Sequence, residues 1–129
     1  MGSSMDHAVK KGVLVVEDDT ELRTLFGSVL AAENFVVFEA DDGLVGLKTL
    51  QDHSAAIDVV LTDMGIPGIG GLELIARVRE AKPSVKIIGT SGFGASDVRE
   101  MALRAGADEF VPKPFAVNDV IEKLKRLTL

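Results

Sequence analysis

The chain has 129 residues, 47% hydrophobic and 26% charged, which fits one globular domain with a sizeable core. A net charge of −6 argues against general nucleic-acid binding, and the lack of cysteine removes disulfides and thiolate chemistry. No apolar run approaches the ~20 residues of a membrane span, so a cytoplasmic protein is expected. "MGSSM" resembles an expression-vector remnant, and residues 1–10 are set apart from a single domain over 11–129.

Short apolar runs then alternate with segments of helical period. "VLVV" (Val13–Val16) is too short for a helix and rich in β-branched residues, so it predicts a buried strand. Leu22, Leu25, Phe26, Val29 and Leu30 form one stripe of an amphipathic helix, with Asp19 or Thr20 as its cap and Asn34 as its stop. "FVVFEA" (35–40) predicts a second strand, and Leu44, Leu47 and Leu50 a second helix weakened by Gly46. "IDVVLT" (57–62) is a third strand, followed by a helix on Leu72, Ile75 and Val78 that ends before Pro83. "VKIIGT" (85–90) is a fourth. Val98, Met101, Ala102 and Ala105 repeat the stripe, with Ser96 a candidate cap and Gly106 a candidate stop. "EFVP" (109–112) predicts a short edge strand, where a proline is tolerated, and Val117, Val120, Ile121 and Leu124 a last helix. Five βα units predict a parallel sheet with helices on both faces.

Polar residues gather where the strands end: Glu17, Asp18 and Asp19 after the first, Asp63 after the third, Thr90 and Ser91 after the fourth, Lys113 after the fifth. Ligands of open α/β sheets sit outside these carboxyl ends. If the first and third strands are neighbours, Glu17, Asp18 and Asp63 converge. Two carboxylates ~4 Å apart repel by about 4 kcal/mol at an effective dielectric near 20, and a hard divalent cation relieves that repulsion. Lys113 adds a point charge for an anionic group and Ser91 a hydroxyl. Together they make a phosphoryl-transfer site in which Asp63 attacks phosphorus and carries an aspartyl phosphate. The glycines at 65, 68, 70 and 71 let the following loop bend around a donor. Each feature alone has a plainer reading, as a solvated helix start, an Asx turn or an ordinary loop. Their conjunction carries the weight.

The segments "VLVVEDD" (13–19), "FEADDGLVGL" (38–47), "LTDMGIPGIGGLEL" (61–74), "IIGTSG" (87–92) and "AGADEFVPKPF" (105–115) resemble the receiver domain of bacterial two-component response regulators. That resemblance implies the CheY-like, flavodoxin-like (βα)5 sandwich with strand order 2-1-3-4-5. It implies Asp63 as phosphoacceptor and Mg²⁺, with Mn²⁺ as a substitute, held by Asp18, by Asp63, by Glu17 through water and by the backbone carbonyl of Gly65. Ser91 takes the switch-hydroxyl position, ahead of Thr90, and Lys113 the phosphate-pairing position, with a cis bond expected before Pro114. Asp19 matches a variable position and is assigned to the cap. Phe110 stands where the family has a rotating aromatic. The implied donor is a histidine kinase or histidine phosphotransfer protein, and the implied output is a changed face of the fourth strand, fifth strand and last helix, with a phosphorylation-dependent homodimer among the outcomes. Direct nucleic-acid or membrane contact is not expected.

Gly65 is small for a position flanking the phosphoryl group, and Phe93 is bulky near the same approach; opposite effects on phosphoaspartate hydrolysis are expected of them. Such a domain catalyses only its own phosphorylation and dephosphorylation, and is not a turnover enzyme. A pseudo-receiver that docks without phosphorylation is the alternative. A metal-dependent phosphohydrolase fits less well: that class places its nucleophile after the first strand with a second acid two residues on, and "VVEDDTE" (15–21) offers Glu17 and Asp19 instead, a poor match. A flavodoxin-like cofactor binder lacks a serine- and threonine-rich phosphate loop after the first strand.

Overall fold

A computed structural model describes residues 10–92 and 95–129; Phe93, the side chain of Ser96 and the segment 1–9 lie outside the described residues. The chain order is β1 (Gly12–Val16), α1 (Thr20–Ala32), β2 (Val36–Ala40), α2 (Gly43–Asp52), a 3₁₀ turn (Ser54–Ala56), β3 (Val59–Asp63), α3 (Gly71–Ala81), β4 (Lys86–Ser91), α4 (Ala95–Ala105), β5 (Glu109–Pro112) and α5 (Val117–Leu127). All strand pairs are parallel and the sheet order is β2-β1-β3-β4-β5.

The apolar runs are continuous because the central strands are covered on both faces. Alternation along β1 sends Leu14 and Val16 into one core and Val13 and Val15 into the other. The first core takes Leu50, Leu74, Ile75, Val78 and Ala102 from α2, α3 and α4; the second takes Phe26, Leu30, Val120, Ile121 and Leu124 from α1 and α5. Strand β2 is an edge, and its residues are buried less, Val36 being 42% exposed.

Several predicted stripes differ in detail. In α1, Phe26 and Leu30 face the sheet, whereas Leu25 is 46% exposed. At 3.6 residues per turn it lies roughly 120° around the helix from the centre of that pair. In α2 the sheet-facing row is Gly43, Gly46, Leu47 and Leu50, while Leu44 is 55% exposed. Gly46 is therefore a packing residue rather than only a weak point: a Cβ there would lie 3.0 Å from Val16 Cγ2. In α3 Leu74 is fully buried, where the sequence pattern picked Leu72 instead; in α4 Met101 is exposed.

Three of the predicted helix ends survive, because they follow from local chemistry; Ser96, expected as a cap, is instead the second residue of α4 (Ala95–Ala105), since that helix begins at Ala95. Asp19 caps α1 by accepting from the amides of Glu21 and Leu22, and Thr20 is the first helical residue. Asn34 has φ 72°, the left-handed turn that follows a helix end. Gly106 has φ 125°, and a side chain there would also press on Arg79, whose Cβ and Cγ lie 3.2 Å from the Cβ position.

Arg79 of α3 ties that end of the fold together. Its guanidinium donates to the carbonyls of Pro83 (2.9 Å), Val85 (2.5 Å) and Gly106 (2.7 Å) and to the carboxylate of Asp108 (2.8 Å). Arg79→Met is expected to destabilise the domain by about 3 kcal/mol, since several carbonyls lose a charged donor together. A denaturant midpoint equal to wild type would contradict this.

Candidate functional site

Glu17 follows β1, Asp63 ends β3, Ser91 ends β4 and Lys113 follows β5, all at the carboxyl edge of the sheet. The β1–β3 pairing, Val16 beside Thr62, brings the acidic loop next to Asp63. The β4–β5 ladder runs one step further through Lys113 N–H to Ser91 O at 2.8 Å, which carries Lys113 to the same edge. The Lys113–Pro114 peptide is cis.

The side chains meet as the sequence predicted. Glu17, Asp18 and Asp63 each offer a carboxylate oxygen, all within 4.8 Å of one another. Lys113 Nζ lies 3.3 Å from Glu17 Oε1 and 3.5 Å from Asp63 Oδ1. Glu17 is buried, Asp63 half-buried and Asp18 exposed. With every group ionised, three carboxylates and one ammonium leave an excess negative charge. An all-oxygen donor set of this kind fits a hard divalent cation; Mg²⁺–oxygen distances near 2.1 Å put opposite ligands about 4.2 Å apart, so a small side-chain rotation suffices. The residues present therefore fit the ion.

Burial pushes the Glu17 carboxyl above its ordinary 4.5; the Asp19 amide, which donates to Oε2 at 3.1 Å, opposes this, the Asp63 charge adds to it, and Lys113 opposes it. Burial by itself would lower Lys113, but the charges of Asp63 and Glu17 outweigh it and raise it above 10.5. A raised carboxyl stabilises the fold below its unfolded value and loses that contribution as pH rises through the folded value. In chelator, Glu17→Gln should therefore gain stability relative to wild type as pH climbs above 4.5. Thermal melts of the two proteins across that range measure the difference, and a gap that stays constant counts against it. Lys113 acts in the alkaline window, its stabilisation being lost only above pH 10.5.

Gly65 lies beside Asp63: a Cβ there would sit 3.7 Å from Asp63 Oδ2, in ordinary contact. Ser91 is buried and lines a recess of about 190 Å³ with Met64, Gly65, Leu72, Val98 and Met101. Thr90 pairs in register with Asp63 and accepts the Met64 amide on its carbonyl at 2.8 Å. Phe110 is 4% exposed and packs in the α2–α3–α4 core, beside Gly89. Phe93, paired with Gly65 in the expectation about hydrolysis, lies outside the described residues.

One contributor was missed. Arg23 Nη1 donates to the carbonyl of Glu17 at 2.8 Å. Its only sequence signal is its place in the first turns of α1, just after the acidic run.

Among the described residues no helix is long and apolar enough to cross a membrane. The family described as "Response regulator receiver domain" matches residues 13–125. The chain is 32% identical over 115 residues to the chemotaxis protein CheY of Listeria monocytogenes, covering 88% of this chain and 95% of that one. It is 28% identical over 114 residues to sporulation initiation phosphotransferase F of Bacillus subtilis, covering 88% and 90%. A crystal structure of a CheY-like receiver domain protein from Methanospirillum hungatei superposes with TM-score 0.85 at 28% identity, covering 91% and 92%. The chain spans about half the length of several other curated relatives it matches, 49% to 50% of each. With its sheet order, its acidic cluster and these matches, the chain belongs to the response regulator receiver domain family.

Proposed function

We propose that the domain accepts a phosphoryl group on Asp63 from a phosphohistidine of a histidine kinase or histidine phosphotransfer protein, in a Mg²⁺-dependent reaction. The supporting observation is the convergence of three carboxylates and the Lys113 ammonium from the ends of three separate strands. In this reading an Asp63 carboxylate oxygen attacks phosphorus; the new O–P bond forms as the N–P bond breaks, and that electron pair leaves with the imidazole. Lys113, 3.5 Å from Asp63 Oδ1, turns onto a phosphoryl oxygen and offsets its charge. The Ser91 hydroxyl donates to another. Asp18, Asp63 and the Gly65 carbonyl would hold Mg²⁺ directly, Glu17 through water, and Mn²⁺ would substitute. The bound ion supplies positive charge against the phosphoryl oxygens.

The same reading makes the domain a switch rather than a turnover enzyme. Phe110 has no hydroxyl, so packing around its ring would carry the change to the β4–β5–α5 face. Kinase, downstream target and a phosphorylation-dependent homodimer are its partners in this reading, with no direct nucleic-acid or membrane contact. The likeness to a protein named as a phosphotransferase supports the relay.

The test is intact mass after incubation with acetyl phosphate and Mg²⁺. One added phosphoryl group is expected, with uptake abolished by chelator. Uptake that survives chelation, or no uptake with Mg²⁺ present, would leave the domain as a docking module or assign it different chemistry.

A further inference from the structure

The Asp18 carboxylate is exposed and accepts no hydrogen bond among the described residues, so its direction follows from the Glu17–Asp18 peptide. The carbonyl of that peptide is held by Arg23 Nη1 at 2.8 Å. The same guanidinium faces the β2 edge, with Nε 3.5 Å from Glu39 Oε1. Gly27, one turn along α1 from Arg23, leaves room for this arrangement: a Cβ there would stand 2.9 Å from Glu39 Oε2. The Arg23 side chain is 18% exposed, so it is held against the protein rather than free in solvent.

We propose that Arg23, braced by Glu39, is a positioning residue that orients the Glu17–Asp18 peptide and thereby sets the affinity of the acidic cluster for a divalent cation. The inference rests on reading that cluster as a cation site. Carboxylate ligands depend on the groups that aim them, and such outer partners affect metal affinity strongly. The sign separates this role from bulk electrostatics. Arg23 is a cation near three carboxylates, so as a mere charge its loss would tighten cation binding. As a positioning group, its loss loosens binding.

The experiment titrates the full chain with Mn²⁺, following the free ion by electron paramagnetic resonance, in low salt and in 1 M KCl, where the Debye length is about 3 Å. Arg23→Met is expected to weaken binding about tenfold in both salts, Glu39→Gln about threefold, and Arg23→Lys, which keeps a charged donor, about twofold or less. Circular dichroism checks that each variant folds. Unchanged or tighter binding by Arg23→Met, or a loss that vanishes in high salt, overturns the proposal. Should Arg23→Met not fold, unchanged binding by Glu39→Gln overturns it instead. Asp18→Asn separates the two readings: if it binds Mn²⁺ like wild type, the cation site itself is wrong. If Asp18→Asn loses binding while Arg23→Met matches wild type, only the role of Arg23 is wrong.

Discussion

Asp63→Asn is expected to reduce phosphoryl uptake by about three orders of magnitude or more, because an amide oxygen is a far poorer nucleophile than a carboxylate. The substitution keeps the shape of the side chain. Asp63 is half-buried at the end of β3, and its ion-pair partner Lys113 keeps Glu17 at 3.3 Å. The fold should therefore hold, with stability within about 1 kcal/mol of wild type. Two further effects distinguish loss of the acceptor from general damage. Removing the Asp63 charge takes away one of the causes that raise Glu17, so its carboxyl moves back toward its ordinary value. Cation affinity also falls, since one of the three clustered carboxylates is gone. Time-resolved intact mass with acetyl phosphate measures the rate. Uptake by Asp63→Asn at anything near the wild-type rate would move the acceptor elsewhere and sink the proposed mechanism.

Gly71→Ala is expected to destabilise the domain by about 3 kcal/mol, the upper range for overpacking a tight site. Gly71 opens α3 directly behind Asp63. A Cβ there would lie 2.5 Å from Met64 Cα, 2.9 Å from Asp63 O and 3.0 Å from Met64 O. All of these are backbone atoms, so no side chain can rotate away to relieve the clash. Either α3 retreats, opening the core around Leu74 and Ile75, or the end of β3 shifts and takes Asp63 with it. Both stability and phosphoryl uptake should fall. Gly65→Ala is the contrasting case, because among the described residues its Cβ would meet only Asp63 Oδ2, at 3.7 Å. Urea unfolding of the two variants should separate them clearly, and a Gly71→Ala midpoint matching that of Gly65→Ala would contradict the packing argument.

The two predictions differ in what the sequence could disclose. Asp63 stands out because an acid ends an apolar run, a local anomaly readable without neighbours. Gly71 does not, because four glycines in one stretch, at 65, 68, 70 and 71, look alike as letters. The approach of α3 to β3 separates Gly71 from Gly70, where a Cβ would meet nothing within 4 Å among the described residues. Gly46 is a similar case. Read as a helix weakness, it proves to be where α2 closes on Val16, since a small residue in a packed stripe carries no hydrophobic signal. Leu25 and Leu44 err the other way, for hydrophobicity marks a stripe but not how much of it a neighbour covers.

By itself the sequence determined the alternation of strands and helices, the caps at Asp19 and the turn at Asn34, and the kinds of side chain at each strand end. Those depend on local periodicity and on backbone groups a few residues away. The strand order that sets Asp18 near Asp63 is reached from the sequence only through a family resemblance, and the tertiary structure alone decided that Gly71 meets the end of β3 and that Arg23 reaches the Glu17 carbonyl while facing Glu39. Strand order and long-range polar contacts arise from packing whole faces together, and no local pattern of residues encodes which face meets which.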